Sequence, residues 1–160
     1  MKKNLIYILF LFIALSCKDG FYSTIPNAQV SYKLNLNIYP DDMQLNAGGT
    51  GVYLQITKKR LETDRLGYGG LLIVNGIGED AVNIYAYDLA CPNEVSRSAL
   101  IVPENSSETG IPTAFTAKCP KCGAVYNITD GFGTPLSGST YYLRTYRVIK
   151  ISEKIFEVRN

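Results

Sequence analysis

Val30-Ser31-Tyr32-Lys33-Leu34-Asn35-Leu36-Asn37-Ile38 sets an apolar residue at every second position, and this period of two decides the fold class. Such alternation gives a strand one apolar and one polar face, here over residues 30–39. Working outward, similar short apolar or alternating runs predict strands over residues 52–56, 70–74, 82–87, 113–118, 124–128, 141–151 and 154–158. Turn clusters separate them: Asn46-Ala47-Gly48-Gly49, Asn75-Gly76-Ile77-Gly78, Asp130-Gly131-Phe132-Gly133 and Ser137-Gly138-Ser139. No stretch has convincing helical periodicity. Residues 58–66 are the best helical candidate, short and mostly charged. Twelve tyrosines suit half-buried β surfaces, where the ring packs and the hydroxyl stays wet. The expected class is all-β, an antiparallel sandwich or barrel.

The N-terminus reads differently. Lys2 and Lys3 precede an apolar run from Leu5 to Leu15 that ends at Ser16-Cys17. The run is too short for a membrane-spanning helix, which needs about 20 residues. A basic start, a short apolar stretch and a small residue before the break make residues 1–16 a signal peptide. Ala14-Leu15-Ser16-Cys17 resembles the lipobox of bacterial lipoproteins, which implies that Cys17 carries lipid as the first mature residue. Two or three acyl chains hold a protein on a membrane far more firmly than one. Residues 17–29 are then a lipidated tether, and residues 30–160 the folded domain. The expected place is the cell envelope. Lys18, where an inner-membrane retention signal would have Asp, favours the outer membrane.

Of sixteen basic residues, Lys2 and Lys3 fall in the signal, which leaves fourteen against fourteen acidic ones. That balance offers nothing to nucleic acid; the expected partners are the membrane, through its lipid, and a protein of the envelope. The chain has no histidine, so neither Ser-His-Asp nor Cys-His catalysis can be assembled. Gly48-Gly49-Thr50-Gly51 and Gly67-Tyr68-Gly69-Gly70 lack the Lys-Ser/Thr and the helix of a phosphate loop, and read as turns. The acidic pairs Asp41-Asp42 and Glu79-Asp80 sit beside turns and read as solvated.

Any chemistry flanks the long loop at residues 94–111, since loops of that length are uncommon and often functional. Tyr87-Asp88-Leu89-Ala90-Cys91-Pro92-Asn93-Glu94 precedes it, and Lys118-Cys119-Pro120-Lys121-Cys122-Gly123-Ala124-Val125-Tyr126-Asn127 follows it. With Gly131, Pro135 and Leu143-Arg144-Thr145-Tyr146, these segments resemble the Rieske iron-sulfur domain over residues 66–152. The resemblance implies stacked antiparallel sheets and a small cluster-binding subdomain, at about 88–128, with two metal loops at one end. It departs from the family where two histidines would bind the second iron: Asn93 and Cys122 stand there instead. Since histidine is absent, an orthodox Rieske centre is excluded.

Four readings follow for the cysteines. The leading one is a non-catalytic binding or structural module without cofactor, with a disulfide among Cys91, Cys119 and Cys122 permitted by the oxidising compartment. A second is an electron-transfer 2Fe-2S centre on Cys91, Cys119 and Cys122 with an oxygen from Asn93, Glu94 or Asp88. A third is zinc or mononuclear iron in the Cys-Pro-Lys-Cys-Gly knuckle, whose second half is incomplete. The fourth is a dithiol oxidoreductase, for which no helix follows Cys122 to lower a thiol pKa. Pro92, Pro120 and Gly123 shape the loops in each case.

Overall fold

The computed structural model describes residues 21–47, 49–78, 82–106 and 110–160. The signal segment, Cys17, the start of the tether and the Glu79-Asp80 pair lie outside the described residues. In chain order the elements are β1 (Val30–Asn35), α1 (Pro40–Ala47), β2 (Tyr53–Ile56), β3 (Arg65–Leu66), β4 (Leu71–Asn75), β5 (Ile84–Asp88), β6 (Val102–Pro103), β7 (Thr116–Lys118), β8 (Val125–Asn127), β9 (Pro135–Ser137), β10 (Thr145–Ser152) and β11 (Ile155–Arg159). The class is all-β.

Seven strands form an antiparallel sheet in the order β2-β4-β5-β10-β11-β1-β3, curled into a nearly closed barrel. A second antiparallel sheet, β6-β7-β8-β9, makes a smaller lobe. The strand β4 lies between the two cores. Its Leu71-Leu72-Ile73-Val74 run does not alternate, and every residue of the strand is buried. Leu71 and Ile73 enter the barrel core with Tyr32, Leu34, Leu45, Phe156 and Val158. Leu72 and Val74 enter the lobe core with Tyr87, Ile101, Tyr126, Ile128 and both buried cysteines, Cys91 and Cys119. A strand covered on both faces has no polar side to display, which is why residues 71–74 are uniformly apolar and the buried Asn75 that ends the strand is hydrogen-bonded to the Leu45 and Gly49 carbonyls.

The first strand is shorter than its alternation predicts. Val30, Tyr32 and Leu34 are buried as expected, but β1 ends at Asn35. The amides of Ile38 and Tyr39 both turn back to the Asn35 carbonyl, at 3.3 Å each, and Ile38 is left 66% exposed. The turn leads into α1, which the sequence reading missed. Pro40 begins it, where no helical N–H is required, and Asp41 and Asp42 occupy the positive first turn. The helix hides only Leu45 and Asp42, too few positions to register as a period.

Asp42 corrects the reading of its pair as solvated. Its carboxylate is fully buried, accepts the Asn35 amide at 2.8 Å, and holds Arg60 at 2.6 and 3.0 Å. The Arg60 guanidinium also lies 3.7 Å over the ring of Tyr39 and 5.2 Å over that of Tyr32. Nor are residues 58–66 helical. Asp64 accepts the amides of Arg60 and Leu61 at 2.9 and 2.8 Å, and this local turn displaces helical hydrogen bonding.

Residues 21–29, read as part of the tether, lie against the domain. Ile25 is buried, Asn27 accepts hydrogen bonds from Arg144 and Asn160, and the Thr24 hydroxyl donates to the carbonyl of Pro92. Among the described residues no helix is long and apolar enough to cross a membrane.

Candidate metal centre

The loop that carries Cys91 is fixed at its root by Asp88, the last residue of β5. This buried carboxylate accepts the amides of Tyr68, Gly69 and Ala90 at 2.7, 2.9 and 2.8 Å, and the Tyr146 hydroxyl at 2.6 Å. Only glycine permits so close an approach: a Cβ on Gly67 would stand 2.4 Å from the Tyr146 hydroxyl, and one on Gly69 would stand 2.7 Å from the Ala90 nitrogen. With four donors on two oxygens, Asp88 positions the loop and has no lone pair directed at the sulfurs.

Beyond that root, the Cys91 amide donates to the Ala99 carbonyl at 2.9 Å, and the amides of Glu94 and Val95 return to the Cys91 carbonyl at 3.2 and 3.0 Å. Val95 takes φ 46°, a left-handed conformation that costs a β-branched residue heavily. The long loop is therefore partly structured: Ala99 supports Cys91, Leu100 bridges to Ala90, and β6 joins the small sheet.

The second loop connects β7 to β8. The Cys119 amide donates to the Ala124 carbonyl at 2.8 Å, and the Gly123 amide donates to the Cys119 carbonyl at 2.9 Å. Gly123 closes this knuckle at φ 77°, the reason glycine is needed there. Pro120 lies exposed on the knuckle, whereas Pro92 is buried beneath Thr24.

The two loops bring Cys91, Cys119 and Cys122 together, with all three Sγ atoms within 4.8 Å of one another. Cys91 and Cys119 are fully buried, and Cys122 is exposed at the mouth. The thiols are free, with Cys91 and Cys122 Sγ 3.6 Å apart. Burial, then the hydrogen bond with Cys119, pushes the Cys91 thiol up to about 12. At Cys122 burial also pushes upward, but the Ala124 amide together with hydrogen bonds from Cys119, Cys91 and Asn93 outweighs it, so this thiol is lowered. Metal binding must displace the protons of all three thiols, since the thiolate is the ligand.

Like Asp88, the other two oxygen neighbours named with the cysteines, Asn93 and Glu94, are engaged elsewhere. The Asn93 amide nitrogen donates to the Gly138 carbonyl at 2.7 Å and reaches the Cys122 sulfur at 3.6 Å, while its oxygen accepts the Ser139 hydroxyl at 2.8 Å. Asn93 therefore presents N–H to sulfur and holds the rim. Glu94 forms an ion pair with Lys121 across the mouth. Two residues that the sequence placed in a strand and a turn, without a role at the cysteines, join the site: Tyr126, whose hydroxyl lies 3.8 Å from Cys91 Sγ, and Ser139. Tyr126 sits beside the knuckle in sequence, but only the pairing of β7 with β8 turns it toward Cys91.

Three soft donors converging on one point suit one thiophilic ion. Zinc–sulfur bonds of about 2.3 Å place tetrahedral sulfurs about 3.8 Å apart, close to the Cys91–Cys122 separation. A 2Fe-2S cluster divides its ligands between two irons, so ligands on different irons stand farther apart than ligands sharing one. These residues fit that cluster poorly. No family model, curated protein or solved structure matches the chain.

Proposed function

We propose that the chain is a non-catalytic metal-binding module of the cell envelope, carried by lipid on Cys17 and holding one thiophilic ion, zinc by preference, on Cys91, Cys119 and Cys122. The observation that carries this reading is the convergence of the three sulfurs, all within 4.8 Å of one another. It favours the knuckle alternative over the metal-free module that the missing histidines first made preferable. The loops are also held from outside, Cys91 through Asp88 and Cys122 through Asn93, as expected of metal ligands whose supporting hydrogen bonds tune affinity. Three protein ligands leave a fourth position for a small exogenous group, as in open zinc sites. The small sheet with two cysteine loops at its end supports the resemblance to Rieske domains while the ligand set departs from their chemistry.

The test is elemental. The full lipidated chain, purified anaerobically in detergent, is expected to hold one zinc per chain and no acid-labile sulfide. Cys122→Ser, at an exposed position, should lose most of that zinc while leaving the fold intact. Stoichiometric iron with sulfide would replace the proposal by an iron-sulfur centre. A metal-free protein with a single free thiol would leave the disulfide-bonded module.

A further inference from the structure

Beside the cysteine loops, the first described residues build an aromatic face. Phe21 stacks on Phe132 with centroids 4.8 Å apart and meets Tyr142 edge-on at 5.0 Å, and Tyr22 meets Tyr141 at 6.0 Å. The backbone secures the arrangement. Tyr142 N–H donates to the Tyr22 carbonyl at 2.9 Å, and Asp130 accepts the amides of Phe132 and Gly133 at 2.9 Å each. Although these rings touch one another, Phe21, Tyr22 and Phe132 are 66, 64 and 51% exposed, and Tyr141 is 36% exposed. Four large rings are thus held by the fold and shown to the outside, which is the pattern of a surface awaiting a partner.

The length of chain before Phe21 identifies that partner. Three residues, Lys18, Asp19 and Gly20, lie between Cys17 and Phe21, so the four steps of chain reach at most about 14 Å even when fully extended. This step rests on the lipid-anchor reading: with acyl chains on Cys17, the aromatic face cannot leave the neighbourhood of the headgroups. Aromatic rings, tyrosine above all, prefer that interface, where the ring is half dehydrated and the hydroxyl remains wet. We infer that the face formed by Phe21, Tyr22, Phe132 and Tyr141 docks on the lipid bilayer and sets the orientation of the domain.

Docking places the thiol group beside the membrane. Ser139 accepts the Tyr141 amide at 2.9 Å and donates to Asn93, which touches Cys122. Thr24, three residues beyond Phe21, donates to Pro92 next to Cys91. The cysteine mouth is therefore one short relay from the docked face, and the opposite end of the barrel, where Ile151 is 55% exposed near the β10–β11 turn, points into the aqueous phase.

The chain contains no tryptophan, so a single introduced indole reports its own surroundings. Full lipidated chains bearing Phe132→Trp or Ile151→Trp would be reconstituted into phosphatidylethanolamine and phosphatidylglycerol vesicles with a brominated phospholipid. Bromine quenching at least about threefold stronger for Phe132→Trp than for Ile151→Trp is expected. Equal quenching in chains that float with the vesicles would overturn docking and leave the anchor reading standing. Chains that fail to float would remove the anchor and docking with it. A Phe132→Trp signal untouched by brominated lipid, yet protected from aqueous iodide only at high protein density, would assign the face to a second copy instead.

Discussion

Asp88 shows how much of the site rests on one side chain that no metal would touch. Its carboxylate binds three amides and a phenol, so Asp88→Asn removes charge-assisted acceptors from buried donors. Loss of about 3 kcal/mol of stability is expected, read as a lower urea midpoint, with Tyr146→Phe costing less. Alkaline conditions test a different residue. Burial, against the opposing pull of Arg60, pushes the Tyr32 phenol up to about 12 from its ordinary value of 10. A phenol that stays neutral in the fold and ionises on unfolding contributes stability that is complete below pH 10 and lost as pH rises toward 12. Urea midpoints should therefore fall across that window, and Tyr32→Phe should flatten part of the decline. The cysteines, Pro92, Pro120 and Gly123 were legible because a knuckle is written in adjacent residues. Thr24 was not, because its partner lies 68 positions away, and the Asn93–Ser139 contact spans 46.

At the scale of elements, strands that alternate or run apolar announced themselves, and the elements built around buried charge did not. The helix α1 has no helical signature in the sequence, and the best helical candidate, residues 58–66, is a turn that leads into β3. Arg60 and Asp42 join the two segments, and a pattern of apolar residues cannot report an ion pair. Arg60→Ala would leave the fully buried Asp42 carboxylate without its cation, at an expected cost of about 3 kcal/mol. Asp42→Asn should cost less, because it removes the charge along with the need for a partner. Denaturant melts of the two variants check the order. The two-residue strands β3 and β6 were invisible for another reason: each exists only through pairing with a distant strand, β1 and β7 respectively.

On the scale of the whole molecule, the segment of residues 21–29 links the aromatic face to the thiol loops. The Thr24 hydroxyl supports the Pro92 carbonyl and so the Cys91 loop. Thr24→Val should weaken zinc binding by about tenfold in a chelator competition while scarcely changing the far-ultraviolet spectrum. An unchanged affinity would detach the segment from the site. The barrel and the lobe, distinct in their sheets, share β4, with Leu71 and Ile73 on one side and Leu72 and Val74 on the other. A strand cannot stay folded on one side only. The two cores are therefore one cooperative unit, and heat should melt them in a single transition. An ion captured by the thiols would then raise the melting temperature of the barrel that never touches it, and removal of that ion would make the whole protein, loops and sheets alike, an easier substrate for proteases.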